Sequence, residues 1–416
     1  MEKTISAADV IRAEQTLKRV AKKTPLLHDE MLSEQYGCNV LLKREDLQVV
    51  RSFKIRGAYN KIANLTQEEL SRGVVCASAG NHAQGVALSC RDTGARGAIF
   101  MPITTPKQKI DRVSHFGGDN VEILLEGDTF DDSAARAIAY AKEHNMVFVH
   151  PFDDALVIAG QGTVGLEILG DADCNVDYIF VAVGGGGLAS GVASYVKHIS
   201  PNTKVIGVEP TGAACMKAAF ENGGPVELPK IDKFVDGTAV KKAGQLTYTM
   251  CKKYLDDVVV LPEGEVCSTI LRVYNDSAIV LEPAGALPIS ALNHYRSEIA
   301  GKNVVCVISG GNNDIARMQE IKERSLLYQG LKHYFIVQLP QRPGALRELV
   351  VDVLGPNDDI CRFEYTKSND REKGPILLGI ELMDRNDLEP LIARMEAKGF
   401  QYTKVNEDTL LFNLFV

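Results

Sequence analysis

The chain lacks the features that identify several common classes of protein. It has no tryptophan, no Cys-x-x-Cys pair and no block of basic residues. The nine cysteines are odd in number and widely spaced, which argues against a disulfide framework or a zinc site. The formal net charge is −8, so neither a nucleic acid nor an anionic membrane is an expected partner. No apolar run could span a bilayer and the first residues contain no apolar signal core, so we expect a cytoplasmic protein.

Length and apolar content predict a globular protein of more than one domain. The chain has 416 residues, of which 45 % are hydrophobic, enough for two or three domains with buried cores. From residue 73 onward, apolar strands alternate with helices, a pattern typical of parallel βαβ units. The expected strands cover 40–42, 74–77, 97–101, 121–124, 147–149, 178–183, 204–208 and 303–308. The expected helices cover 6–22, 52–64, 81–92, 106–116, 129–144, 161–170, 188–198, 265–279 and 283–295.

The C-terminal part of the chain follows a different pattern. A charged helix over 313–330 is the expected connector to it. The order of elements after the connector is βαββαβ with one further strand, which is the pattern of small ferredoxin-like α+β modules. These elements are expected at 333–339, 344–354, 360–367, 375–382, 387–398, 401–405 and 409–415.

Lys54 is the first candidate functional residue. It lies between Phe53 and Ile55 at the start of a predicted helix. Apolar surroundings and the positive end of the helix dipole both favour the neutral amine. The neutral amine is the form that attacks carbonyls and makes Schiff bases. The ordinary alternative is a surface lysine on a helix.

Three loops each follow an apolar strand and precede a helix. They lie at 78–82, 184–188 and 309–312. In an open α/β sheet such loops meet at the carboxyl ends of the strands, where ligands bind. The four consecutive glycines at 184–187 let backbone N–H groups approach an anion at a helix N-terminus, which suits a single phosphate. A tight turn without a ligand is the alternative for the glycines, and helix N-caps are the alternative for Asn81 and Ser309.

With these four motifs the chain resembles the pyridoxal-phosphate (PLP) dependent threonine and serine dehydratases, which have the tryptophan-synthase-β type of fold. The resemblance runs from about Thr24 to Asn312. It implies a two-lobed α/β catalytic domain of PLP fold type II over residues 1–325, with open and mostly parallel sheets. The smaller lobe, about 50–150, would be inserted in the larger one.

The resemblance also assigns roles to residues. Lys54 would bind PLP covalently and, once released, would remove the Cα proton of the substrate. Asn81 would face the ring oxygen of PLP and Ser309 the pyridine nitrogen. The phosphate would be held by Gly184, Gly185, Gly186, Gly187 and Leu188. The substrate carboxylate would be held by backbone donors of Ser78, Ala79, Gly80, Asn81 and His82, with the His82 side chain incidental.

No metal ligand is assigned. Glu209 follows a strand and could face a cation, as a similar glutamate does in the related serine racemases. Cys215 is not a ligand for a hard cation, however, and so no metal site is expected.

The tail resembles the ACT-like regulatory domain of the biosynthetic threonine dehydratases. The matching stretches are 340–348, 354–356 and 363–365. This resemblance implies a regulatory domain over 326–416, isoleucine as inhibitor and valine as its antagonist. It also implies L-threonine as substrate, 2-oxobutanoate and ammonia as products, and a homotetramer. A dimerisation or stability module without a ligand is the alternative for the tail.

Two other functions are compatible with the sequence. One is a different PLP enzyme of the same fold, such as a serine dehydratase, a serine racemase or a sulfide-using synthase. An assay of 2-oxo acids formed from threonine and from serine separates these enzymes. The other is a non-catalytic amino-acid sensor, which would be colourless when purified. The presence of Lys54, the four glycines and Ser309 argues against a sensor.

Overall fold

The computed structural model describes residues 4–365, 372–407 and 412. The chain divides into two compact units, Met1–Ile315 and Ala316–Val416. The boundary expected at 325/326 falls inside the helix Met318–Gln329 of the second unit. Within the described ranges, no helix is both long and apolar enough to cross a membrane.

The first unit contains the α/β part of the chain. Its strands are β1 (Leu26–His28), β2 (Asn39–Arg44), β3 (Val74–Ala77), β4 (Gly97–Met101), β5 (Val121–Leu125), β6 (Val147–Phe148), β7 (Tyr178–Ala182), β8 (Lys204–Pro210), β9 (Asp257–Leu261) and β10 (Asn303–Ile308). Its helices are α1 (Ala7–Leu17), α2 (Glu30–Tyr36), α3 (Lys54–Ala63), α4 (Gln67–Arg72), α5 (Asn81–Thr93), α6 (Lys107–Gly117), α7 (Phe130–Glu143), α8 (Ala155–Asp171), α9 (Gly187–Ile199), α10 (Cys215–Asn222), α11 (Gln245–Tyr254), α12 (Glu263–Ser277), α13 (Pro283–Ser290) and α14 (Arg296–Ile299).

The smaller lobe is a four-stranded parallel sheet in the order β5-β4-β3-β6. Successive residues of its strands face opposite sides and both sides are covered by helices. Cys76 packs in one core with Val86 of α5, whereas Val75 packs in a second core with Ala137 of α7. Burial on both faces explains why these strands are continuous apolar runs in the sequence.

The larger lobe is a six-stranded sheet in the order β1-β2-β10-β7-β8-β9. Only β1 is antiparallel to its neighbour, and the other pairs are parallel. Because β2 precedes the smaller lobe in the chain and β7 follows it, the smaller lobe is inserted in the larger one. The loops after β3, β7 and β10 are the three loops that the sequence singled out.

Several elements of the larger lobe differ from the sequence expectation. Helices α10 and α11 and strand β9 were not predicted, since they are short and β9 is a partly exposed edge strand. Helix α8 starts earlier than expected because Asp154 caps it, accepting hydrogen bonds from the N–H groups of Leu156 and Val157. Helix α1 ends at Leu17, five residues before the predicted 22.

The second unit is an α+β module. Its elements are α15 (Met318–Gln329), β11 (Lys332–Pro340), α16 (Ala345–Glu348), β12 (Asp359–Tyr365), β13 (Lys373–Glu381), α17 (Leu388–Ala397) and β14 (Gln401–Lys404). The sheet is antiparallel in the order β12-β13-β11-β14. One face of the sheet carries Phe335 and Leu378 and packs on Leu349 and Leu391, so the ferredoxin-like pattern is confirmed.

Two expected elements of the tail are altered or lie outside the described residues. The helix expected at 344–354 is α16 followed by a π-helical turn over Leu349–Val353. Residues 366–367 of the expected strand 360–367 lie outside the described residues. So does nearly all of the expected strand 409–415.

Candidate active site

Lys54 is the first residue of α3, and hydrogen bonds hold both its side chain and the backbone just before it. Its Nζ donates a hydrogen bond to the carbonyl oxygen of Pro151 at 2.9 Å. The N–H of the preceding residue, Phe53, donates to the carbonyl oxygen of Ser309 at 3.0 Å. Burial lowers the pKa of Lys54 from 10.5 to about 8, and the Glu282 carboxylate opposes that shift. The amine is therefore much easier to deprotonate than that of an exposed lysine.

Close helix packing fixes the backbone that carries Lys54. A Cβ added at Gly85 of α5 would lie 3.1 Å from the carbonyl oxygen of Lys54. A Cβ added at Gly160 of α8 would lie 2.5 Å from the carbonyl oxygen of Arg56. Both positions require glycine because α5 and α8 approach the backbone of α3 directly. Small displacements of Lys54 are therefore resisted by two neighbouring helices.

Asn81 is clamped between two residues far along the chain. Its Nδ2 donates to both carboxylate oxygens of Glu282, at 3.0 and 2.9 Å. Its Oδ1 accepts from Nδ2 of Asn312 at 2.7 Å. The orientation of the Asn81 carboxamide is thereby determined, with its N–H₂ group towards Glu282. Burial raises the pKa of Glu282 to about 7, and the hydrogen bond from Asn81 opposes this rise.

Glu282 is a candidate functional residue that the sequence interpretation missed. It lies between the expected helices 265–279 and 283–295, where the sequence pattern assigned it no function. In the structure it is the N-cap residue of α13, is 3 % exposed, and lies against Gly310. A carboxylate buried this deeply beside a lysine of lowered pKa is typical of a functional site. The only signal in the sequence was an acidic residue within an otherwise apolar segment.

The 78–82 loop follows β3 and is partly exposed up to Asn81. Ser78 Oγ accepts a hydrogen bond from the N–H of Gly80 at 3.1 Å, which shapes the turn. A Cβ added at Gly80 would meet nothing within 4 Å, so the loop borders open space. Ala79 lies between them, and α5 begins at Asn81. A small anion therefore has room at this helix N-terminus.

The His82 side chain points away from that space. It is 3 % exposed, and its Nε2 lies 2.9 Å from the carbonyl oxygen of Val149. Burial and the nearby Lys54 charge lower the pKa of His82 to about 3. The ring is therefore neutral and Nε2–H donates to Val149. This geometry agrees with the incidental role that was expected for the side chain.

The tetraglycine loop, defined as residues 184–187, joins β7 to α9. Gly186 is the N-cap residue of α9 and has φ +94°, a conformation that favours glycine. A Cβ added at Gly185 would lie 2.3 Å from the ring of Phe152. Among the described residues, none accepts a hydrogen bond from the N–H groups of Gly185, Gly186 or Gly187. Unpaired N–H groups at the start of a long helix form a site for an anion.

Leu188, the last residue assigned to the phosphate loop, has a buried side chain. It belongs to the hydrophobic core of the larger lobe together with Val192 and Ile158. Leu188 can therefore contribute only its backbone N–H, at the start of α9, to an anion site. The side chain anchors the first turn of that helix.

Ser309 is the residue after β10 and is 2 % exposed. Its Oγ is buried and, within the described part of the chain, has no hydrogen-bond partner. A buried hydroxyl without a partner costs free energy and is uncommon in folded proteins. This hydroxyl is therefore available to a polar atom of a bound molecule.

The segment 150–153 connects Lys54 with the tetraglycine loop. Pro151 accepts the hydrogen bond from Lys54 Nζ, and Phe152 packs against Gly185 and Gly187. His150 shapes the turn, because its Nδ1 accepts from the N–H groups of Phe152 and Asp153 at 3.2 and 2.8 Å. Its ring proton is therefore on Nε2. No pattern in the sequence indicated this connection.

Glu209 is engaged by the protein itself. Its two carboxylate oxygens accept from the N–H groups of Met216 and Lys217, each at 2.8 Å. Burial raises the pKa of Glu209 to about 8. Across the described ranges, no group of three or more His, Cys, Asp and Glu side chains could hold a metal ion.

These groups fit pyridoxal phosphate. The amine of Lys54 suits its aldehyde, and the unpaired N–H groups of the tetraglycine loop suit its phosphate. The unpartnered Ser309 hydroxyl suits its ring nitrogen. The contacts of Phe53 with Ser309, and of Lys54 with Pro151, bring these elements into one site.

Comparisons with known proteins agree with this chemistry. The signature of the family described as pyridoxal-phosphate dependent enzyme matches residues 17–310. The signature described as the C-terminal regulatory domain of threonine dehydratase matches residues 323–415. The chain belongs to the biosynthetic threonine dehydratase family of PLP-dependent enzymes.

Members of this family match the chain over its length. The biosynthetic L-threonine dehydratase of Halalkalibacterium halodurans is 59 % identical over 99 % of both chains. The enzyme of the same name from Bacillus subtilis is 56 % identical over 99 % of this chain and 98 % of its own. The solved structure of the processed form of threonine deaminase isoform 2 from Solanum lycopersicum is 39 % identical, with a TM-score of 0.71. It covers 78 % of this chain and 96 % of its own. The cofactor of the family is pyridoxal phosphate, and the two-part fold expected from the sequence is confirmed.

Proposed function

We propose that the chain is a threonine ammonia-lyase, which converts L-threonine to 2-oxobutanoate and ammonia. This reaction is the first step of isoleucine biosynthesis. The observation that carries the proposal is the buried Lys54 amine, whose pKa is lowered to about 8 beside the N–H groups and hydroxyl that suit PLP. Identity of 59 % over 99 % of a biosynthetic L-threonine dehydratase supports threonine as the substrate.

Lys54 is the proposed catalytic base. When bound, PLP supplies the electron sink that stabilises negative charge at the Cα atom of an amino acid. With its lowered pKa, Lys54 Nζ can be neutral near pH 8 and can take the proton from Cα. Its hydrogen bond to Pro151 O and the packing of α3 hold the amine in a restricted position. Restricted geometry of this kind lowers the barrier to proton transfer.

The other site residues orient the reactants. The Asn81 carboxamide, held by Glu282 and Asn312, would face the ring oxygen of the cofactor. The Ser309 hydroxyl would bond the ring nitrogen without giving it a full positive charge, which suits elimination of the β-hydroxyl.

Anionic groups would be held by backbone N–H groups. Those of residues 184–188 would hold the phosphate, because they lie at the start of α9. Those of residues 78–82 would hold the substrate carboxylate at the start of α5, where the Gly80 position borders open space. The Gly80 N–H itself bonds Ser78 Oγ, so Asn81 and His82 are the strongest donor candidates.

The second unit is the proposed regulatory domain. We propose isoleucine as its inhibitor and valine as the opposing effector, in a homotetramer. The match of residues 323–415 to the regulatory domain of threonine dehydratase supports amino-acid binding there. Light scattering tests the tetramer, and calorimetric titration with each amino acid tests the effectors.

A cytoplasmic location is part of the same proposal. None of the nine cysteines, all of which lie in the described residues, is in a disulfide bond, and seven of them are buried. Thiols in this number are typical of proteins that remain in a reducing compartment.

The central experiment measures 2-oxo acid production with PLP present. We expect 2-oxobutanoate from L-threonine, and Lys54→Ala should lower kcat by at least about a thousandfold. Lys54→Arg is the matched control for charge, because it keeps a cation of similar length that cannot act as a base near neutral pH. Both variants should be equally inactive.

L-serine and isoleucine form the second arm of the experiment. Threonine should be converted with the higher kcat/KM, and isoleucine should reduce the rate. Full activity in Lys54→Ala would contradict the assignment of the base. Turnover of serine alone, or racemisation without 2-oxo acid formation, would contradict the proposed reaction.

A further inference from the structure

Three side chains donate hydrogen bonds to successive carbonyl groups of the tetraglycine loop. Cys215 Sγ donates to the carbonyl oxygen of Gly184 at 3.4 Å. Thr247 Oγ1 donates to that of Gly185 at 2.6 Å, and Cys251 Sγ donates to that of Gly186 at 3.8 Å. We call Cys215, Thr247 and Cys251 the carbonyl donors.

The orientation of these carbonyls determines the orientation of three N–H groups. In a trans peptide the C=O and the following N–H point in opposite directions. The N–H groups of Gly185, Gly186 and Gly187 therefore point away from the carbonyl donors. These are the same three N–H groups that have no acceptor in the described part of the chain.

The two carbonyl donors on α11 are held in position by packing and by hydrogen bonds at the start of the helix. Thr247 and Cys251 lie one turn apart on α11, and both are fully buried. The first turn of α11 is held by Asp153, whose carboxylate accepts from three N–H groups at 3.0 Å each, those of Gln245, Leu246 and Thr247.

Cys215 is held by a second carboxylate. It is the first residue of α10, and the N–H groups of the next two residues donate to Glu209. Glu209 thus positions the start of α10 beside Gly184.

The flexibility of four consecutive glycines explains why the loop needs contacts that fix its peptide planes. A chain of four glycines has no side chains to limit its φ and ψ angles, so peptide planes can rotate at little steric cost. A phosphate needs several N–H groups pointing at it simultaneously. Contacts on the opposite, carbonyl side of the loop can supply that order before the ligand binds.

We infer that the three carbonyl donors are positioning residues. Thr247, Cys215 and Cys251 orient the N–H groups of the tetraglycine loop towards the PLP phosphate. The inference rests on the proposed function, because the anion is taken to be the phosphate of that cofactor. If the three side chains only stabilised the fold, replacing them would weaken the binding of ligands with and without a phosphate to the same extent.

The test uses full-length protein freed of cofactor and compares PLP with pyridoxal, which lacks the phosphate. Thr247→Val keeps the shape of the side chain and removes its donor, whereas Thr247→Ser keeps the donor. We expect Thr247→Val to raise the dissociation constant of PLP about tenfold, the effect of losing one buried hydrogen bond. The dissociation constant of pyridoxal should change less than about twofold, as should both constants in Thr247→Ser.

The two thiols provide two further, independent pairs of variants. Cys215→Ala and Cys251→Ala should each raise the PLP dissociation constant about threefold, since a thiol is a weak donor. Cys215→Ser and Cys251→Ser keep a donor and should bind PLP more tightly than the corresponding alanine variants. Thermal unfolding of each variant checks that it is folded, and the thiol pairs decide the question if Thr247→Val does not fold.

The possible outcomes separate the inference from the proposed function. The inference would be overturned if Thr247→Val weakened the binding of PLP and of pyridoxal by the same factor. It would also be overturned if the serine and alanine variants of Cys215 and Cys251 bound PLP with equal affinity. Tight binding of PLP by the unaltered chain would still support the proposed function in that case. Failure of the unaltered chain to bind PLP would overturn both.

Discussion

At the scale of single residues, the proposed site has an electrostatic pairing in which the Glu282 charge acts on the Lys54 amine. Burial moves the two pKa values towards each other, lowering that of Lys54 to about 8 and raising that of Glu282 to about 7. Each group therefore titrates within about one pH unit of neutral pH, far closer to it than an exposed lysine or glutamate does. The Glu282 carboxylate also raises the pKa of Lys54, so it moderates the effect of burial.

This electrostatic pairing predicts how PLP association depends on pH. Only the neutral amine attacks the cofactor aldehyde, so the association rate should rise about tenfold per pH unit below the Lys54 pKa and level off above it. In the unaltered chain the midpoint is expected near pH 8. Glu282→Gln removes the carboxylate that stabilises the ammonium form, so the midpoint should move to lower pH. Stopped-flow absorbance on cofactor-free protein measures both curves.

The matched control is a second buried glutamate. Glu265 of α12 is 4 % exposed and bonds Asn293 and His294, and it contributes nothing to the Lys54 pKa. Glu265→Gln should leave the midpoint in place. An unchanged or higher midpoint in Glu282→Gln would refute the pairing.

At the scale of elements, a buried network of charges joins β2, α3 and α8. Arg56 of α3 bonds Glu45 and Glu167, each at 2.7 Å. Lys43 of β2 bonds Glu167 at 2.6 Å and is fully buried. Two cations thus balance two carboxylates. Burial alone would lower the pKa of Arg56, but the two carboxylates raise it well above its ordinary value.

The network has a consequence for the site. Arg56 lies two residues after Lys54 on the same helix, so its bonds oppose rotation of α3 about its axis. They also hold α3 against α8 at the point where Gly160 contacts the backbone of Arg56. The direction of Lys54 is therefore set by charges that never contact the cofactor site.

Removing one member of the network should be strongly destabilising. Arg56→Met leaves two buried carboxylates facing a single lysine, and we expect the free energy of unfolding of the first unit to fall by about 3–5 kcal/mol. Arg12→Met is the control, since the Arg12–Asp9 pair is exposed, with 72 % of the arginine side chain accessible. That change should stay within about 1 kcal/mol. Urea unfolding followed by circular dichroism measures both, and equal losses would contradict the prediction.

At the scale of elements the sequence predicted local patterns well and short elements poorly. Strand β3 and strand β4 have the predicted bounds because both faces of the sheet are apolar and the signal is continuous. Helices α10 and α11 were missed because each spans ten residues or fewer and follows an irregular stretch. The carbonyl donors lie on these two helices. The sequence pattern therefore could not indicate that they contact the tetraglycine loop.

At the scale of the whole molecule, catalysis and regulation are proposed for separate units. The first unit, Met1–Ile315, contains every residue of the proposed active site.

Truncation after Ile315 tests this division. We expect the shortened chain to deaminate L-threonine with kcat within about threefold of the full chain, because no proposed catalytic group is removed. Inhibition by isoleucine should disappear, because the proposed binding domain is lost. Initial rates at increasing isoleucine, with the full chain as control, measure both effects. An isoleucine response in the shortened chain would place the effector site in the first unit instead.

The sequence alone determined which segments of this protein are candidates for its chemistry. Lys54 could be singled out at the start of a predicted helix, and the tetraglycine loop and Ser309 because each follows a strand, in patterns set by neighbouring residues. Only the tertiary structure decided which groups surround them, because those partners come from distant parts of the chain. Glu282 lies 201 residues after Asn81, and the hydrogen bond between them follows from the packing of separate elements. Local order is encoded by adjacent side chains, whereas convergence in space requires the completed fold.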